Sequence, residues 1–176
     1  MAREVIEQVE GFYRIIPLNR FRKTEGVSFD YLAPSAVPRI SAIDRVMHTS
    51  NAVSPGPVGD VERPWYMHPH QDDNLIVLHG ERMVDIYTRE HSRVERFLVK
   101  PDEICRGGTA IFTGPAMLVW PKGVFHRIQS GRHGSASLNF ATHYEGFDLK
   151  TNFNIYSLNP KTGEFKMIRE GQLDQH

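Results

Sequence analysis

Fourteen glycines and eleven prolines break this chain at short intervals, and the runs between them are rich in Val, Ile, Phe, Tyr and Thr. Short β-branched and aromatic runs bounded by turn formers are the pattern of an all-β domain. Strands are expected over 37–48, 64–70, 74–79, 81–88, 94–99, 109–113, 116–120, 124–129 and 135–144. A closing hairpin, 153–158 and 164–169, turns through "NPKTGE", where Pro160 and Gly163 supply the turn. The segment 4–9 reads as a short helix, and 51–64 ("NAVSPGPVGDVERP") as a long loop. "NLIVLHG" is apolar on both faces, Leu75 and Val77 on one and Ile76 and Leu78 on the other. Such a strand belongs in the middle of a sandwich or at a subunit interface.

At 176 residues the chain makes one domain, read as an N-terminal extension over 1–35 and a β-barrel over 36–170. Lys plus Arg equals Asp plus Glu at 21 each, so no basic field exists to draw nucleic acid or an anionic membrane. No apolar run approaches membrane-spanning length, and "MAREVIEQVEGFYRII" carries charges where a signal peptide needs an apolar core. The expectation is a soluble, cytoplasmic protein. The single cysteine, Cys105, excludes an internal disulfide, and with no adjacent histidine it reads as a structural thiol.

The chemistry lies in "WYMHPHQDDNLIVLHGE", residues 65–81. On a strand, alternate side chains share a face, so His68 and His70 point together with Cα atoms about 6.7 Å apart. Both rings then reach one ion at metal–nitrogen bonds of about 2.0–2.1 Å. Pro69 between them has no N–H to give a neighbouring strand, which places them near an edge. "WPKGVFHRI" then sets Pro121, Gly123 and His126 so that a tight turn feeds a new strand, with His126 facing inward beside Val124 and Ile128. Three imidazoles from two strands make an open metal site with room for water and substrate.

These residues resemble the two motifs of the cupin superfamily. The first, G(x)5HxH(x)3-4E(x)6G, is met by His68, His70, Asn74 and Gly80; the second, G(x)5-7PxG(x)2H(x)3N, by Gly114, Pro121, Gly123 and His126. The resemblance implies a cupin-type β-barrel, a double-stranded β-helix or jelly roll. Three positions depart: Asn74 stands where cupins carry a glutamate ligand, Ser130 ends the second motif, and no glycine lies six residues before His68.

With Asn74 in the glutamate position, three neutral imidazoles around a divalent ion leave a site of net +2, which favours an anionic chelating ligand. Asn74 is read as orienting water or substrate, and Tyr66, in phase with His68, as a hydrogen-bond donor or acid. The reading that leads is a non-haem Fe(II) dioxygenase acting on a small organic anion. A sugar or sugar-acid isomerase or lyase using Zn(II), Ni(II) or Mn(II), and a non-catalytic ligand-binding module, stay open beside it. Asp72 and Asp73 are read as an ordinary turn. His79 is placed on the outer face, His143 is read as structural, and His48, His91, His133 and His176 show no ligand pattern. Arg127 is expected to face outward. The partner implied is a second copy of the chain, in a homodimer.

Overall fold

The computed structural model describes residues 5–176. In chain order the strands are β1 (Glu7–Val9), β2 (Tyr13–Pro17), β3 (Asn19–Thr24), β4 (Val27–Tyr31), β5 (Ala42–His48), β6 (Val53–Ser54), β7 (Trp65–Met67), β8 (Gln71–Thr88), β9 (Arg93–Lys100), β10 (Glu103–Arg106), β11 (Thr109–Thr113), β12 (Ala116–Trp120), β13 (Phe125–His143), β14 (Ile155–Asn159) and β15 (Glu164–Arg169), with one helical turn, α1 (Leu149–Asn152). All strand pairings are antiparallel. The all-β expectation holds. The segment read as a helix over 4–9 is strand β1 from Glu7 onward, paired with β2; Glu4 lies outside the described residues.

The architecture hangs on β8 and β13, which pair with each other from Gln71–His143 at one end to Tyr87–Phe125 at the other. Each was expected as two strands; each is one, bent in the middle where the register slips around Gly80 and Gly134. The first half of β8 is flanked by β12 and the second by β9, while β5 joins the second half of β13. The long strands therefore pass from one wall of the barrel to the other, as bulged strands do at barrel corners.

Burial follows from the alternation. The inner face of the barrel packs Leu75, Val77, Val84, Ile86, Phe97, Val99, Leu118 and Val124. Ile76, on the opposite face, is covered by a second cluster in which Ile16, Leu18, Leu32, Ala36 and Val37 meet Met117 and Val119. On the outer face of "NLIVLHG" the N-terminal segment thus covers Ile76, while Leu78 is 55% exposed. Much of the 1–35 extension is integral: β2 pairs with β12, and Phe12, Tyr13 and Ile15 are fully buried. The β3–β4 hairpin alone forms a separate ribbon, with Phe21, Phe29 and Tyr31 exposed around one another. No helix among the described residues is long and apolar enough to cross a membrane.

Gly80 sits at the bend with φ +70, and a Cβ there would fall inside the van der Waals envelope of the Gly134 carbonyl. Gly80→Ala is expected to cost about 2–5 kcal/mol, from left-handed backbone strain plus overpacking. Urea unfolding measures this, and a loss below about 0.5 kcal/mol, the scale of an ordinary surface substitution, would contradict the role given to the bend.

Candidate functional site

Inside the barrel lies a cavity of about 310 Å³, at the lower end of the range for small-ligand sites. Alternation decides what faces it. From β8 come Gln71, Asp73, Leu75 and, after the bend, Arg82; from β13, His126, Ile128 and Asn139; from β5, Asp44, Val46 and His48. Tyr66, His68, Trp120 and Phe153 complete the wall around the polar end.

His68 and His126 are brought together, with ring centroids 4.7 Å apart and only 4 % exposed each. Nδ1 of His68 lies 2.5 Å from the carbonyl oxygen of Asn152, and Nδ1 of His126 lies 3.2 Å from that of Val124. A carbonyl only accepts, so each Nδ1 donates and each Nε2 is left facing the cavity. Both Nε2 atoms meet Asp73: its Oδ2 is 3.3 Å from Nε2 of His68 and 3.8 Å from Nε2 of His126, and makes no other hydrogen bond. Oδ1 of the same carboxylate accepts from Gln71 and Asn139, both at 2.7 Å, which fixes its plane. Three proton-binding atoms thus converge on one point, and an unpaired buried polar group costs about 1–3 kcal/mol. The trio suits whatever bridges it: a proton in transit or a cation.

Burial, reinforced by the neighbouring His68, lowers His126 to about 4, against a smaller raising effect from Asp73. His126 is therefore neutral at physiological pH and free to accept a proton. Burial raises Tyr66, so its phenol keeps its proton; its ring stacks near His68 at 6.3 Å and near His126 at 5.9 Å. Trp120, 5.2 Å from the His126 ring, has an indole N–H with no acceptor. Donor and acceptor groups left unmatched on one cavity wall are those a ligand is placed to satisfy.

The structure separates the remaining expected site residues from this group. β7 ends at Met67, and Pro69 and His70 lie in a bend stitched elsewhere, with the His68 carbonyl accepting from Gly123 N–H and the His70 carbonyl from Tyr144 N–H. The alternation that carried His70 inward stops there; its ring lies against Gly146 and does not line the cavity. Asn74 also points away, donating to the Phe140 carbonyl at 2.6 Å. The carboxylate that the motif spacing placed at 74 is supplied one residue earlier by Asp73, which is buried and not part of a solvated turn. With that carboxylate, a divalent ion on two imidazoles would leave net +1 and not +2. Asp72 serves structure, accepting from Lys122 N–H and the Tyr144 hydroxyl.

His48 and Arg82 were missed. Both follow from strand parity, since Asp44, Val46 and His48 alternate along β5, and Arg82 is in phase with Val84 and Ile86. Arg127 does face outward, bound to Asp85 and stacked on Trp65. His143 stacks on Phe147.

No protein-family model and no curated protein sequence matches this chain. Solved structures do resemble it. A dTDP-4-dehydrorhamnose 3,5-epimerase from Sulfolobus tokodaii matches with a TM-score of 0.58 at 16% identity, covering 82% of this chain and 77% of that one. A dTDP sugar isomerase from Desulfovibrio desulfuricans matches at 0.55 and 18% identity, over 82% and 85%. A variant of a 3,4-ketoisomerase from Thermoanaerobacterium thermosaccharolyticum, in complex with TDP-4-keto-6-deoxyglucose, matches at 0.52 and 13% identity, over 80% and 85%. At such identities the likeness is one of architecture, and with the pairing of β8 and β13 it gives the fold: this chain is a cupin-type β-barrel of the jelly-roll kind.

Proposed function

We propose that this protein is a sugar isomerase or epimerase that moves a proton at a carbon beside a ketone, on a keto sugar linked to a nucleotide. The observation that carries the reading is the convergence of three proton-binding atoms, Nε2 of His68, Nε2 of His126 and Oδ2 of Asp73, on the wall of an internal cavity. Its support from kinship of shape is that the three solved proteins named above are isomerases and epimerases of such sugars. The sequence left sugar isomerisation open beside oxygenation. The three-histidine site behind the dioxygenase reading loses His70. Two imidazoles and a carboxylate also ligate Fe(II) in oxygenases, so the preference rests on the three solved proteins, none of which is an oxygenase.

The chemistry is proton abstraction next to a carbonyl. His126, neutral through burial, takes the proton on Nε2; the carbon's electron pair forms a C=C bond and the carbonyl oxygen becomes an enolate. The imidazolium lies 3.8 Å from Asp73 Oδ2, whose charge stabilises it. Tyr66, still protonated, donates to the enolate oxygen. Where the first carbon bears a hydroxyl, that hydroxyl passes its proton to the former carbonyl oxygen while His126 returns its own to the former carbonyl carbon, giving the isomeric ketone. A solvent proton taken up on the other face of the first carbon, with His126 releasing its own to solvent, gives epimerisation. His68, anchored by Asn152, stands 3.3 Å from the same carboxylate on the other side.

The same three atoms fit a divalent ion, since they lie within 4.8 Å of one another and combine two imidazole nitrogens with a carboxylate oxygen. His68, Asp73 and His126 would hold Zn(II), Ni(II), Mn(II) or Fe(II), which would supply Lewis-acid polarisation of the sugar carbonyl. The homodimer is proposed on the exposed apolar residues of the β3–β4 ribbon and on Ile43 and Met47 along the outer face of β5.

Incubated in D2O with TDP-4-keto-6-deoxyglucose, the protein is expected to place deuterium at the carbon beside the ketone, read by NMR; no exchange at any pH between 6 and 9 would refute the proposal. His126→Asn should slow exchange by about 10²–10⁴-fold. Asp73→Asn, which removes the charge facing both imidazoles, should abolish exchange, and a retained rate would contradict its role. Dialysis against EDTA should leave the rate unchanged; loss with recovery on adding Zn(II) would assign the trio to a metal. Sedimentation should show a dimer that Phe21→Asp with Phe29→Asp converts to monomer.

A further inference from the structure

Arg82 is 1 % exposed, lines the cavity and has no carboxylate partner. Its Nε donates to Ser135 Oγ at 2.9 Å and its Nη2 to the Val46 carbonyl at 3.0 Å, which leaves Nη1 without a protein acceptor. Ser135 Oγ lies 2.6 Å from Ser130 Oγ, and that hydroxyl lies 2.9 Å from Nδ1 of His48. This network fixes the guanidinium plane using neutral groups only. His48 adds no second positive charge, since burial and the Arg82 charge lower it to about 4 and keep it neutral. A buried cation with every contact neutral costs several kcal/mol, and a second charge brought in by a ligand offsets this.

We infer that Arg82 is the anchor for an oxyanion on the ligand, a phosphate or a carboxylate, seated inside the barrel one sugar ring away from the proton-transfer trio. Position supports the assignment. Asp44, Asn139, Asp73 and His126 stand at one level of the barrel, linked by hydrogen bonds from Asn139 to both aspartates and by the approach of Asp73 to His126. The guanidinium is held at the level of Val46, two residues along β5 from Asp44, a separation of about 6.6 Å at 3.3 Å per residue. A planar fork with two donors already engaged presents its remaining edge in a fixed direction, the arrangement that makes arginine selective for oxyanions over neutral hydroxyls. The acidic residues of the trio end would repel an anion there, so a ligand with one charged end enters in one orientation. The inference rests on the cavity being the ligand site proposed above and is independent of the reaction assigned to it.

Isothermal titration of the full chain with thymidine diphosphate, D-glucuronate and neutral D-glucose tests the anchor and separates its two sources. Either anion alone should bind, thymidine diphosphate identifying a phosphate and glucuronate a sugar carboxylate, with glucose silent over the same range. Arg82→Gln, which keeps donors for Ser135 or Val46 without the charge, should weaken the bound anion about tenfold or more, and Arg82→Lys by less. In the wild-type chain, whose folding is not at issue, the Arg82 Nε–H signal should shift on titration with the same anion. Affinity in Arg82→Gln within about twofold of wild type, an unmoved Nε–H signal, or no binding of either anion would overturn the inference. Arg82-dependent binding without deuterium exchange would remove the reaction and leave the anchor; exchange with Arg82-independent binding would do the reverse.

Discussion

Two imidazoles and a carboxylate converge on one point inside this barrel, and the rest of the molecule is arranged so that they cannot turn away. Asn152 and Val124 hold the imidazoles by their Nδ1 protons, and Gln71 with Asn139 hold Asp73 by its other oxygen. Each restraint comes from a different part of the chain, so the site exists only when β7, β8, β13 and the turn after β13 are all in place. The cost of burying these polar groups together is carried by the stability of the shell, as strain at functional sites commonly is.

The long pairing of β8 with β13 explains both the geometry and its polarity. β8 contributes Asp73 to the proton-transfer end before its bend and Arg82 to the cationic end after it, while β13 brings His126 before its bend and Asn139 after it to the first end, with Ser130 and Ser135 on either side of the bend behind Arg82. A cavity with unlike ends therefore arises from two segments of chain.

The fold was legible in the sequence because turn formers and β-rich runs mark an all-β chain, and because Gly123 stands where the second cupin motif requires it and Gly80 lies at the first motif's spacing from Asp73. Tyr66, His68 and His126 were legible by alternation alone. His70 was misplaced because alternation holds only while the strand lasts, and Pro69 lies beyond the end of β7. Asp73 was missed for the converse reason: the strand was started at residue 74, although Gln71 and Asp73 are already in phase with Leu75. The motif spacing then directed attention to Asn74, on the wrong face. Arg82 was hidden by its chemistry, since an arginine in a strand is expected at the surface, and only side-chain contacts reveal one buried without a counter-charge.

The hydrogen bond from His68 to Asn152 ties the barrel interior to a helical turn 84 residues later in the chain. Phe153, next in line, sets its ring edge-on to the same imidazole at 5.1 Å. The aim of His68 is thus governed by a helical turn outside the strands. A substitution in that turn therefore reaches the imidazole without altering any strand pairing.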